Sequence, residues 1–224
     1  MASAGIIHEQ KIFLKYHGYN NIDSLQIPVV SDKYPQLKQA IAEQLFDGHK
    51  SYDIVERYEA DGHGITGVWY EVTYQDSNII SLIIYYETMG ARPSGYQKWL
   101  TYDINTGQPY PLAKEIDKAG LKNIFLQYKL FIQKGIAAAR KDIARDTSLT
   151  ENEVEALMNS LNYAKDKLTP EVLFEKYVFT DKGVRLSSAD VLPHAVRNYD
   201  IERNWLIPYQ KLRPFRTYTG MVIK

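Results

Sequence analysis

The sequence has no cysteine, no excess of either charge and no long apolar run. Without cysteine, disulfides, thiolate metal sites and cysteine nucleophiles are excluded outright. The 27 Lys+Arg residues balance 27 Asp+Glu, for a formal net charge of +0 and a pI near 7.0. That balance leaves no global electrostatic draw toward nucleic acid or anionic lipid, so no nucleic-acid partner is expected. The longest apolar runs, Ile79-Ile80 and Leu82 to Tyr86, fall far short of the ~18 residues of a membrane span. A soluble chain without a membrane span is therefore expected. The start, Met1-Ala2-Ser3-Ala4-Gly5-Ile6-Ile7-His8, has no basic segment leading into a long apolar one and carries no readable signal peptide.

What is present is ordinary globular composition: 224 residues, 45% hydrophobic and 24% charged. A chain of this length buries roughly 70% of its unfolded surface without staples. No repeat, low-complexity tract or charged block divides it. Residues 1–10 read as a disordered lead or expression remnant, and 11–224 as a single α+β domain with an N-terminal half of about 11–104 and a C-terminal half of about 105–224.

Periodicity gives the order of elements. Lys11 to Tyr16 and Leu25 to Val30 read as extended. Ser31-Asp32 before Tyr34-Pro35 offers cap chemistry, and Tyr34, Leu37, Ile41 and Leu45 recur at helical spacing up to Gly48. Strands are then expected at Ser51 to Tyr58, Thr66 to Tyr74, Ile79 to Glu87 and Tyr96 to Ile104, joined by short turns such as Asp61-Gly62-His63-Gly64 and Asn105-Thr106-Gly107-Gln108. The unbroken apolar character of Ile79 to Glu87 places it in the middle of the sheet. A broad helical face runs from Pro111 to Arg145, with Gly120 and Gly135 as possible breaks. Thr150 and Glu153 have capping-box spacing before a second helix. Strands return at Leu173 to Thr180, Val184 to Leu186, Trp205 to Tyr209 and Arg216 to Ile223. The fold class is α+β: an antiparallel meander packed against two or three helices, two of them around 34–46 and 111–145.

Catalytic and metal motifs are sparse. The five histidines never stand three to five residues apart, so no metal site reads from their spacing. Neither glycine-rich phosphate fingerprint nor a G-x-S-x-G elbow is present, and no cofactor is expected. Ser81, inside an apolar strand, reads as structural. Glu71, Glu87 and Asp103 lie on or near strands, where cross-strand approach could bring two within the ~5–9 Å used in glycoside chemistry, and sequence leaves that open. Tyrosine is the conspicuous excess, at 18 residues. Trp69-Tyr70, Tyr85-Tyr86, Tyr96, Trp99 and Tyr102 crowd the central strands, serving either as core or as stiff amphipathic contacts on an open face.

Several short segments, in this order, resemble a bacterial envelope domain family. They are Tyr34-Pro35 before a helix, Ile80-Ser81-Leu82 within a strand, and Leu100-Thr101-Tyr102-Asp103-Ile104-Asn105-Thr106-Gly107-Gln108 followed by Pro111-Leu112. Phe179-Thr180-Asp181-Lys182-Gly183-Val184 and Leu206-Ile207-Pro208-Tyr209-Gln210-Lys211-Leu212 complete the set. The family is shared by the extracytoplasmic part of the lysozyme-sensing anti-sigma factor RsiV and the non-catalytic part of PdaC-type peptidoglycan deacetylases. Met89-Gly90-Ala91-Arg92 stands where that family has a Gly-Gly-Ala-His-like loop, so a guanidinium replaces an imidazole.

The resemblance implies a non-catalytic, extracytoplasmic recognition module that binds a lysozyme-like envelope protein or a cell-wall glycan. Its expected contact surface combines Gly90, Arg92 and Tyr96 with the rings of Trp69 and Trp99. Two alternatives stand beside it: a carboxylate-dependent cell-wall glycan hydrolase, and a structural homo-oligomerisation domain.

Overall fold

The computed structural model describes residues 5–15, 22–47, 64–90, 93–188, 199 and 201–224. The strand expected at Ser51 to Tyr58, the turn residues Asp61 to His63, and Arg92 lie outside the described residues. The chain forms two compact units, Met1–Tyr110 and Pro111–Lys224.

The described residues of the first unit form a five-stranded sheet and one helix. Its strands are β1 (Ile7–Lys15), β2 (Ile22–Val30), β3 (Gly64–Gln75), β4 (Ile79–Met89) and β5 (Pro93–Asp103), and they lie in that order across the sheet. Residues 7–10, read from sequence as part of the lead, are paired along β2 from Ile7↔Val30 onward. The meander holds for β3–β4–β5, all antiparallel, but β2 meets β3 in parallel at Leu25↔Val68. β3, not β4, is therefore the middle strand. β4 is nevertheless buried on both faces from Ile79 to Ile84, which is why it reads as central.

Helix α1 (Pro35–Leu45) buries Leu37, Ile41 and Leu45 against Leu25, Ile27, Val68, Ile80, Leu82 and Ile84. Each such side chain contributes ~1.5–3 kcal/mol. The cap expected from Ser31 and Asp32 does not form. Pro35 sits at the first helical position, where its fixed φ and missing N–H suit a helix start, and Tyr34 takes the cap position without a side-chain bond. The Ser31 carbonyl instead accepts the Tyr34 N–H at 3.0 Å, and Asp32 pairs with Lys38 at 2.6 Å.

In the second unit, α2 (Lys118–Arg145) begins later than the sequence suggests, after a 3-10 turn at Leu112–Lys114. Asp117 caps it by accepting the Gly120 N–H at 2.7 Å. Neither glycine breaks it. A Cβ on Gly120 would lie 2.4 Å from that of Phe215, and one on Gly135 would lie 2.9 Å from Ile201, so both mark close approach. The capping box of Thr150 and Glu153 opens α3 (Glu151–Lys167) as expected.

The strand expected over Leu173 to Thr180 is instead a helix and a short strand. Thr169 caps α4 (Pro170–Glu175), and β6 (Tyr177–Phe179) follows. β6 joins β7 (Gly183–Ser187) and β8 (Asn204–Pro208) in a small antiparallel sheet, and α5 (Tyr209–Leu212) follows. The strand expected over Arg216 to Ile223 is absent: that tail forms turns held by Glu115.

Candidate functional site

Alternation along β3, β4 and β5 puts one set of side chains on the α1 core and the other on the opposite face. On that opposite face one end is closed: Ile79, Ser81, Ile83, Trp99 and Thr101 are all buried. Ser81 fits there because its hydroxyl meets that of Thr101 at 2.9 Å, so no polar atom of the pair is stranded. The other end is open. It carries Trp69, Glu71, Tyr85, Glu87 and Gln97.

The register sets this group. Trp69 pairs with Tyr85 and Tyr85 with Gln97, making one row across three strands. The Trp69 and Tyr85 rings stack with centroids 5.3 Å apart and planes 4° from parallel, and Trp69 remains 40% exposed. The Tyr85 hydroxyl donates to Glu71 Oε2 at 3.1 Å, which fixes the ring and the carboxylate together. One row further along, Glu87 is flanked on both neighbouring strands by glycine, Gly67 and Gly95. A Cβ on Gly67 would lie 2.9 Å from Glu87 Oε2, so this carboxylate leans across bare backbone. The result is an open, acidic, aromatic shelf.

The expected contact residues do not all converge. Trp69 belongs to the shelf. Trp99 is on the same face but only 8% exposed, and its indole N–H donates to Gln97 Oε1 at 3.1 Å, so it supports the shelf from beneath. Tyr96 points to the α1 face, where it stacks on Tyr86 at 4.5 Å and is 37% exposed. Burial, with Asp47 nearby, raises its hydroxyl pKa above the ordinary tyrosine value. Gly90 follows the end of β4, and Arg92 lies outside the described residues. Glu71, Tyr85, Glu87 and Gln97 complete the shelf and were not grouped by sequence.

The three carboxylates weighed for catalysis are separated. Glu71 pairs with Ile83, four positions from Glu87 on β4, so their rows are ~13 Å apart at ~3.3 Å per residue. Asp103 is engaged in a turn, accepting the N–H groups of Asn105 and Thr106 at 3.0 and 2.9 Å. Among the described residues, no group of three His, Asp or Glu is placed to hold a metal ion. None of the described helices is long and apolar enough to cross a membrane.

Two solved structures share this architecture over nearly its whole length. A DUF3298 family protein from Pseudomonas aeruginosa PAO1 matches with TM-score 0.56 at 12% identity, covering 95% of this chain and 94% of its own. A DUF3298 family member from Bacteroides fragilis NCTC 9343 matches with TM-score 0.52, also at 12% identity, covering 95% and 93%. The fold is that of the DUF3298 proteins. DUF3298 is the domain shared by RsiV and PdaC, so this likeness of fold agrees with the resemblance carried by the segments between residues 27 and 212. No family model matches the chain, and no curated protein matches it in sequence. At 12% identity the likeness to DUF3298 proteins is one of fold, and the shelf is described from this chain's own residues.

Proposed function

We propose that this chain is a non-catalytic recognition module that works outside the cytoplasm and binds an envelope protein of the lysozyme type on the open shelf of β3–β5. The observation that carries the reading is the Trp69–Tyr85 stack set between Glu71 and Glu87. A half-exposed indole held rigid by a parallel ring loses little conformational freedom on binding, and Trp and Tyr dominate the energetics of protein interfaces. The two carboxylates favour a cationic partner and would speed its approach. An open sheet face suits a protein better than a small ligand, which needs a concavity. The extracytoplasmic setting rests on the resemblance to the RsiV and PdaC domain. A cell-wall glycan is the second occupant of this reading, favoured by the Gln97 amide and the ring edges on the same row.

The test is binding of immobilised chain to a c-type lysozyme at low and high salt, with Trp69→Ala and Glu71→Lys as variants. The expected result is a salt-weakened interaction that falls by about tenfold or more in Trp69→Ala. Equal binding by both variants overturns the shelf, and no binding by the unaltered chain overturns the protein partner.

A further inference from the structure

A second surface of the first unit is concave, and the reading above makes no use of it. A groove of about 340 Å³ runs between α1 and the turn that follows β5. Gln36, Gln39, Glu43 and Gln44 line its helix side, Gln108 and Thr106 its turn side, with Tyr102 and Pro109 also in the lining. The turn belongs to the Leu100-to-Gln108 segment that carries the family resemblance.

The groove is built rigidly. Gly107 has φ +65, and a Cβ there would lie 2.5 Å from the Gln36 carbonyl carbon, so the turn rests directly on the first turn of α1. Asp103 ties the turn from within: its side chain accepts from Asn105 and Thr106, its carbonyl accepts the Gly107 N–H at 2.9 Å, and its own N–H donates to Gln108. Along the helix wall, the Gln39 amide donates to Glu43 Oε1 at 2.9 Å.

The lining chemistry selects a ligand class. Among the described residues it offers four side-chain amides, each both donor and acceptor, with the hydroxyls of Thr106 and Tyr102, one carboxylate and no cationic group. Without a Lys or Arg, and with Glu43 present, an anionic ligand is disfavoured. Pro109 is exposed and, with the edge of the otherwise buried Tyr102 beside it, supplies a small apolar patch against which a sugar ring can lie. The volume sits at the low end of small-ligand sites, enough for one or two rings. We propose that the groove between α1 and the 103–109 turn binds a neutral saccharide of one or two rings, read by the amides of Gln36, Gln39, Gln44 and Gln108. This site is independent of the Trp69 shelf.

The test is an NMR titration of the full chain with N,N′-diacetylchitobiose, following backbone and side-chain amide signals. In parallel arms the disaccharide is replaced by glucuronic acid or by an N-acetylated, C-amidated dialanine. Saturable shifts at the groove glutamines are expected with the disaccharide. Affinity should fall about fivefold in each of Gln39→Ala and Gln108→Ala. Both glutamines are surface residues on the groove wall, so their loss should leave the fold intact, and the backbone spectrum of each variant checks this. No shift up to the solubility limit of the disaccharide overturns the proposal. So does tighter binding of the peptide or of the anionic sugar, or shifts that survive both glutamine variants.

Discussion

Glu115, fully buried, accepts the backbone N–H of Ile223 through Oε2 at 2.9 Å, although 108 residues separate them. Its other oxygen accepts the N–H groups of Met221 at 2.6 Å and Val222 at 3.0 Å. A buried carboxylate is costly unless hydrogen-bonded, and here consecutive backbone donors solvate it as a helix N-terminus would. Gly220 is required for the approach, since a Cβ there would lie 2.6 Å from Oε2. Glu115→Ala leaves these donors buried without their acceptor and should cost about 3 kcal/mol or more. Glu115→Gln keeps one acceptor oxygen and should cost less. Urea denaturation ranks the two variants. Hydrogen exchange at Met221 to Ile223 locates the effect, and unchanged protection there would refute the anchor.

Gly107 is a second place where only hydrogen fits. Its φ of +65 is the left-handed region, and a Cβ would meet the Gln36 carbonyl carbon and oxygen at 2.5 and 2.6 Å. Backbone strain alone costs roughly 1–3 kcal/mol for a residue with a side chain. Gly107→Ala should therefore lose more than that range's lower bound, because α1 must also move. Gly90→Ala, with nothing within 4 Å of its Cβ position, is the control. Thermal unfolding of the pair should show a clear drop for the first and little change for the second.

These two glycines illustrate what sequence could and could not disclose. The Asn105-Thr106-Gly107-Gln108 turn is legible because turn chemistry is local, but its pressure on Gln36 is not. β3, β4 and β5 are legible from alternation, and the α3 start from capping-box spacing. The shelf is not, because register is. Counting outward from Gln75↔Ile80 in unbroken register sets Trp69 opposite Tyr86, on the core side. The bulge between Val72 and Tyr74 shifts the pairing by one residue and sets Trp69 opposite Tyr85. Tyr96 and Trp99, three apart, fall on opposite faces by alternation alone. The tail from Arg216 to Ile223 reads as a strand because its β-formers are visible while the distant Glu115 is not. At Leu173 the Thr169-Pro170 helix start outweighs the strand preference of Tyr177, Val178 and Phe179 just beyond it.

Alkaline stability of the second unit should depend on Tyr128. Burial is the largest cause pushing its hydroxyl up to about 12 from the ordinary 10.0, with bonds to Ser188 opposing. The hydroxyl donates to the Arg203 carbonyl at 2.6 Å. Because the folded value is raised, the neutral phenol's contribution is fully present below pH 10 and is lost as pH climbs through about 12. Tyr128→Phe removes one hydrogen bond and should cost about 1 kcal/mol at neutral pH. The deficit should shrink between pH 10 and 12, where the unaltered protein must ionise or unfold. Urea midpoints at neutral and alkaline pH measure this, and a constant deficit across that range would exclude the linkage.

Lys98 locks the end of α1 to β5, and its two contacts should prove unequal. Its ammonium, only 16% exposed, donates to the Gln44 carbonyl and to Asp47 Oδ1 at 2.5 Å, and lies 5.6 Å from the centre of the Tyr86 ring. The Gln44 carbonyl is among the last of α1, where a cation also complements the helix dipole. Asp47 is 71% exposed and adopts φ 54, which a residue with a side chain holds at a cost. Lys98→Met should therefore lose about 1.5–3 kcal/mol, the range for hydrogen bonds to a charged group. Asp47→Gly removes an ion pair worth about 1 kcal/mol or less, and glycine relieves the backbone cost, so the two terms nearly cancel. Chemical denaturation of both variants and of the double variant settles the comparison. A larger loss in Asp47→Gly than in Lys98→Met would mean that the ion pair, and not the helix carbonyl, is what Lys98 serves.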